Sequence, residues 1–465
     1  MLSTILTREL RHNFLSLRFH LAFLITLTVF GFGTIAFLKN YQTSMKEYEK
    51  YQTELRRDVQ GTAEKNLTQL AVKKQDYILK PRGDAFITGS KEKYIPNSIS
   101  FSAFNVLGFE TRTGSTNPYL NPFEELNWGF IVSIIISFTV FLFTYDSISG
   151  EKETRTLAVS LANPVSRGTL LFGKYIATIV TSLFIVLPGI CLSMVMILLS
   201  RAIPLSPVTL FEILGLILAC GLFVSCIAAC GLLASVLVKS SDVSLLIALI
   251  MWVLFVVIVP NSAIFLSQTI YPIANSDTIQ EKIQSARDAI EKTAPEGRWY
   301  MMYNQPSYPF HQVRASHQMN LMNSDMRIRN AYYRDMFRQL ERARLLTLIS
   351  PVSLFEYLCE GVVGGGYLRF RHVWNGLHDY QVQFLTFFKE KDAQDPGSPH
   401  WYNPREDVST TRKPVSYKEV PVFQEKSIPL QERVSFAGQY LVVMVLYTSL
   451  VFFAAFVLFV RYDVR

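Results

Sequence analysis

The sequence predicts a polytopic α-helical membrane protein: six spanning helices, an N-terminal amphipathic helix and an α+β domain built from two long hydrophilic insertions. Three observations carry that prediction. Of 465 residues, 50% are hydrophobic and only 18% charged, where a soluble domain usually has ~25% charged residues. The apolar residues fall in blocks long enough to cross a bilayer. Two stretches of mixed composition, 39–127 and 268–436, interrupt those blocks. A disordered or collagen-like chain is excluded by the same composition, which includes 34 Phe and 22 Tyr, and an ordinary cytosolic enzyme is disfavoured.

The elements follow in chain order. In residues 1–19, Ile5, Leu6, Leu10, Phe14 and Leu17 recur at helical spacing, with Arg8, Glu9, Arg11 and Asn13 between them. This pattern suits a helix lying in the membrane interface. A spanning helix needs ~20 apolar residues. The runs 20–38, 128–145, 175–200, 208–238, 243–267 and 437–460 meet that need, and only Glu212, near one end of the fourth, is charged. In lipid the backbone must satisfy its own hydrogen bonds, so runs of this length are helices. The first run is longer than a signal-peptide core and no small-x-small cleavage site follows it, so it reads as a retained span.

Six spans put both termini on one side. Arg8, Arg11 and Arg18 precede the first span. Lys152, Arg155, Arg167 and Lys174 lie between the second and third, Lys239 follows the fourth, and Arg461 and Arg465 follow the sixth. The positive-inside rule makes that side cytoplasmic. On this reading both insertions are extracytoplasmic and the chain sits in a bacterial cytoplasmic (inner) membrane.

The first insertion, 39–127, opens with a helical pattern on Met45, Tyr48, Leu55 and Val59. Strand-like pieces follow at 85–88 and 98–103. The second, 268–436, holds helical patterns at 276–293 and 312–346. At about 1.5 Å per residue the latter is roughly 50 Å long. The apolar segment 345–358 is too short to span and is broken by Pro351, which suits an interfacial or re-entrant element. The two insertions are expected to pack on each other.

The stretch 146–174 between the second and third spans is the most informative. It reads Asp146-Ser147-Ile148-Ser149-Gly150-Glu151-Lys152-Glu153-Thr154-Arg155-Thr156-Leu157, then Leu161-Ala162-Asn163-Pro164. It is a short charged helix held against the membrane, with Leu157 and Leu161 on one face. Such an element can dock into a groove on a soluble partner; an ordinary solvated loop is the alternative. The run resembles the signature of ABC-2 type permeases, the membrane subunits of ABC exporters. In that family it belongs to the coupling-helix region, which implies ATPase contact through Asp146, Gly150, Glu151, Lys152, Glu153, Thr156, Leu157 and Pro164.

The resemblance extends to the amphipathic helix, similar to the family's elbow helix, to the order of six spans, to Asn121-Pro122, and to Ile349-Ser350-Pro351 with Phe355. The large insertions resemble a branch that includes permeases of gliding-motility and nitrous-oxide-reductase-maturation systems. One departure is Arg155, where family members often have Gly. The resemblance implies a dimer of permeases, identical or paralogous, on a cytoplasmic ABC ATPase dimer that binds ATP and Mg. It further implies export by alternating access, along a path that includes Phe138 and Phe141 of the second span and Trp252 and Phe255 of the fifth. A lipid-facing role is the alternative for each of these four. A non-transporting subunit that acts on an extracytoplasmic partner is the rival function. An orphan receptor is a third reading.

Other motifs weigh less. Gly168 to Tyr175 nearly matches a phosphate loop. Tyr175 replaces the hydroxyl residue that would hold Mg²⁺, and no strand precedes the run, so ATP is expected on another chain and no cofactor on this one. Gly221, Ser225 and Ala229 recur every four residues in the fourth span and predict a tight helix seam. Pro188 and Pro260 are candidate kinks. Met301, Met302, His311, His317, Met319, Met322 and Met326 admit a copper reading, against the alternative of a Met-filled helix face; no metal site is expected. No catalytic motif is present. The charge of +8 is dispersed rather than gathered in a stripe, so no nucleic-acid partner is expected.

Overall fold

A computed structural model describes residues 2–88, 96–104, 106–110, 126–162, 165–204, 206–294, 308–396 and 413–462. Helix α1 (Leu2–Leu15) runs alongside the first half of the third span, from Ile5 at Gly173 to Phe14 at Phe184, and Ser16 ends it by capping the next helix at Phe19 N, 3.2 Å. Helix α2 (Leu17–Ala63) is the first span and more. Nothing after Leu38 breaks a helix, so α2 continues for 47 residues, about 70 Å at 1.5 Å per residue. Val59 and Ala63, near its far end, are buried in the insertion domain. The spacing of Met45, Tyr48, Leu55 and Val59 therefore belongs to the same helix as the span.

Helix α3 (Leu67–Val72) leads into the antiparallel sheet β1 (Gln75–Ile78), β2 (Ser98–Phe101) and β3 (Val106–Glu110), in that order. Gln75 pairs with Phe101 and Ser98 with Glu110, with a bulge at Ser100/Phe101. The strand expected at 85–88 is a turn, and just before it Arg82 and Asp84 pair at 2.8 Å.

The second span is α4 (Trp128–Ile131), a π-helical turn (Val132–Ile136) and α5 (Ser137–Thr144). The hairpin α6 (Ser149–Glu153) and α7 (Thr156–Ala162) follows. Helices α8 (Arg167–Ser200) and α9 (Pro207–Leu237) are the third and fourth spans. The fifth is α10 (Ser241–Trp252), a second π-helical turn (Val253–Ile258) and α11 (Val259–Ile270). Spans two and four are the centre of the bundle, about two-thirds buried, while the first, fifth and sixth are mostly uncovered. The uncovered faces carry residues such as Leu24, Phe32, Leu218 and Phe453, as contact with lipid or a second copy requires.

The second insertion contributes α12 (Ser276–Lys292), α13 (Tyr308–Leu346), α14 (Pro351–Val363) and α15 (Gly366–Ala393); α16 (Leu430–Arg461) is the sixth span. Helix α14 falls on the apolar segment 345–358. Ser350 caps it, Phe355 stacks on Phe223 of α9 at 4.7 Å, and its residues are buried between spans four and six. The turn out of α14 uses Gly364 at φ +66°, a left-handed conformation that glycine adopts without steric penalty.

Phe370, Trp374, Tyr380, Phe384 and Phe388 of α15 then meet Leu67, Leu70, Tyr77, Phe101 and Phe104 of the first insertion in one core. The two insertions thus form a single α+β domain at the end of the bundle opposite the termini.

Candidate functional site

At the end of the bundle where the termini lie, the α6–α7 hairpin is moored to five other elements. Arg18, at the start of α2, donates from Nη1 to Asp146 Oδ2 at 2.8 Å and from Nη2 to the Tyr145 hydroxyl at 2.8 Å. Ile148 N and Ser149 N both donate to Ser235 Oγ of α9, at 3.0 and 2.9 Å. Two amides at the start of α6, which the helix itself cannot satisfy, are satisfied by that hydroxyl.

Glu151 reaches Lys174 of α8 at 2.9 Å, and the same ammonium reaches Glu9 of α1 at 3.0 Å. The Lys174 side chain is 4% exposed. One buried cation therefore joins the amphipathic helix, the third span and the hairpin. Lys152 donates to Val236 O at 2.5 Å and Val238 O at 3.0 Å. A cation at a helix C-terminus answers the negative end of the helix dipole. Glu153 accepts from Ser241 N at 2.9 Å, at the opening of α10, where an anion is favoured for the complementary reason.

These contacts redistribute the expected roles. Asp146, Glu151, Lys152 and Glu153 are engaged within the chain. Gly150 lies between Asp146 and Ser241 with ordinary clearance. Leu157 is buried and Leu161 packs against the bundle core, so the face they share turns inward, not toward a partner. The outward face comprises Thr154, Arg155, Thr156, Ala158, Val159 and Ala162, with Val159 69% exposed. Pro164 lies outside the described residues, as do Asn121 and Pro122. Arg155 adopts φ +59°, a conformation that costs most non-glycine residues roughly 1–2 kcal/mol.

The aromatic set divides. Phe138 packs edge-on against Trp252, ring centroids 5.4 Å apart, on a partly open face between spans two and five. Trp252 Nε1 donates to Ser137 Oγ at 3.0 Å, and that hydroxyl donates to Ser133 O at 2.5 Å. This relay joins the two π-helical turns. Pro260 has no amide hydrogen, and the carbonyl five residues before it, Phe255 O, instead accepts from Ser350 Oγ at 2.5 Å. Pro188 lies within the unbroken α8. Phe141 is 3% exposed and belongs to the bundle core, so it does not line an open path.

Of the residues expected in a seam, Gly221, Ser225 and Ala229, the first has open space beside it. A methyl on Gly221 would meet no atom within 4 Å, whereas one on Gly231 would lie 2.8 Å from Thr144 Cβ. Spans two and four make their close approach at Gly231. Ser225 instead shares a hydrogen bond with Tyr175 of α8, and Ala229 is buried. Sequence spacing identifies a small-residue stripe but not the face that meets a neighbour.

The near phosphate loop is helical within α8, and its lysine is Lys174 of the buried triad. Among the described residues no cluster of His, Cys, Asp and Glu has metal-site geometry. Met319 and Met322 pack on the insertion-domain core, and His317 lies 3.0 Å from Glu291. Met301 and Met302 lie outside the described residues, as does the side chain of His311.

No curated protein matches the sequence. The family described as ABC-2 family transporter protein matches it over residues 3–464, nearly end to end. With six spanning helices and an amphipathic helix leading into the first, the chain belongs to the ABC-2 family of transporter membrane proteins.

Proposed function

We propose that this chain is the permease subunit of an ABC exporter, driven by ATP hydrolysis on separate ATPase subunits that dock on the outward face of the α6–α7 hairpin. The single observation that supports this reading most is the mooring of the hairpin. Glu151–Lys174–Glu9, Lys152 on the end of α9, and Glu153 on the start of α10 tie it to α1 and to spans three, four and five. A push on the hairpin moves these elements together.

On this reading the termini face the cytoplasm, the ATPases bind ATP and Mg, and a second permease packs against the uncovered spans. Cargo passes between the two permeases beside Phe138 and Trp252 as the assembly alternates between inward- and outward-open states. The test is reconstitution of the full chain with its co-purifying ATPase in sealed vesicles. ATP-dependent cargo movement supports export. Hydrolysis that moves no cargo and depends on a protein on the insertion-domain side refutes export.

One observation favours a second reading, in which the complex moves nothing across the bilayer and works on a partner outside it. The first span and the insertion domain share the single helix α2, whose end is buried in the domain core. Tilt of that span would reach the domain without an intervening loop.

A further inference from the structure

Where the insertion domain meets the bundle, a cavity of about 500 Å³ is built from both. Its polar wall holds three ion pairs: Arg82–Asp84 at 2.8 Å, Arg369–Glu425 at 2.6 Å and Arg433–Glu212 at 2.8 Å. Burial alone would raise the Glu425 carboxyl, but the Arg369 guanidinium outweighs it and holds Glu425 below the usual carboxylate range. The same competition, with Arg82 prevailing, holds Asp84 low. The Arg82–Asp84 and Arg369–Glu425 pairs are therefore ionised at neutral pH.

Two further cations, Lys80 and Lys426, line the cavity and are exposed. Neither makes an ion pair among the described residues. The cavity is thus left with uncompensated positive charge. Its other wall is apolar, with Ile203, Val208 and Ile428. Val208 is 54% exposed, in the first turn of the fourth span, so that wall opens beside the lipid-facing surface at the bilayer boundary.

We propose that this cavity binds the anionic head, phosphate or carboxylate, of a membrane amphiphile, whose tail leaves past Val208 into the lipid. Lys80 and Lys426 neutralise the head. A free anion shares the head chemistry but would make no use of the apolar exit. The inference does not depend on the coupling role of the hairpin.

The test is native mass spectrometry of the full-length protein in mild detergent, with phosphatidylglycerol, phosphatidylcholine or inorganic phosphate as the added probe. The wild type should retain phosphatidylglycerol in preference to phosphatidylcholine. The double variant Lys80→Glu/Lys426→Glu should bind it about tenfold more weakly or worse, because each basic side chain contributes measurably to anionic-lipid attraction. Both lysines are exposed, so folding is retained. A charge-matched control, Lys46→Glu/Lys282→Glu, lies away from the cavity and should bind like the wild type. Equal retention of the two lipids, or a loss as large in the control, would overturn the proposal. So would inorganic phosphate binding as tightly as phosphatidylglycerol.

Discussion

Replacing Lys174 with Met should separate mechanical linkage from simple stability. The ammonium lies 3.0 Å from Glu9 Oε1 and 2.9 Å from Glu151 Oε1, and its side chain is 4% exposed. The two carboxylates are 17% and 18% exposed. Removing the central cation leaves two largely buried negative charges without a counter-charge, and breaking a buried ionic group in this way costs about 3–5 kcal/mol. Lys174→Met should therefore lower resistance to unfolding in detergent substantially.

The triple variant Glu9→Met/Lys174→Met/Glu151→Met removes all three charges together. Replacing a whole buried triad by apolar groups of similar volume is often neutral in stability, so this protein should unfold within about 1 kcal/mol of the parent. Its α1–α6 link would still be gone. The assay pairs unfolding midpoints with ATP hydrolysis by the reconstituted complex. The account expects the triple variant to recover stability but not coupled hydrolysis. A triple variant that recovers both, or a single variant that loses neither, would refute the claim that the triad transmits force.

Other predictions concern single positions. Gly231→Ala would force a methyl against Thr144 and should destabilise the bundle by about 1–3 kcal/mol, whereas Gly221→Ala should be neutral, as chemical unfolding would read. Arg155→Gly should leave the hairpin as stable or firmer, since glycine tolerates the positive φ, while Arg155→Val should weaken it by roughly 1–2 kcal/mol; proteolysis at the hairpin distinguishes them. Because the Glu425 carboxyl is held low by Arg369, its contribution is complete above the ordinary carboxylate value of about 4.3 and is lost as pH falls through the lower folded value. Glu425→Gln should accordingly flatten the acid limb of insertion-domain stability, followed by Trp374 fluorescence.

The spans were legible because length and apolarity alone decide them in lipid. The segment 345–358 is legible as a separate element because it is apolar, too short to cross and broken by Pro351, where α14 begins. What local patterning could not supply was partner choice. Lys174 sits in a run that imitates a phosphate loop, and its two carboxylates lie at Glu9 and Glu151, far apart in the chain. Phe141 and Phe138 are three residues apart and equally apolar, yet one is core and the other partly open, since Phe141 packs at Gly231 of span four and Phe138 against Trp252 of span five.

Helical spacing puts Leu157 and Leu161 on one face, but whether that face turns to a partner or to the bundle depends on Ser235 and Ser241, which anchor α6 from other spans. The continuity of α2 was missed because polarity changes at Lys39 while helix propensity does not. Composition marks where the membrane ends, not where a helix ends.

The central claim is that the hairpin receives the ATPase. Single cysteines at Thr156 and Val159, on its outward face, and at Lys46, on the part of α2 beyond the membrane run, should be tested for crosslinking to the co-purified ATPase in native membranes. The account predicts crosslinks from the two hairpin positions and none from Lys46. Crosslinks from Lys46 with none from the hairpin would contradict it.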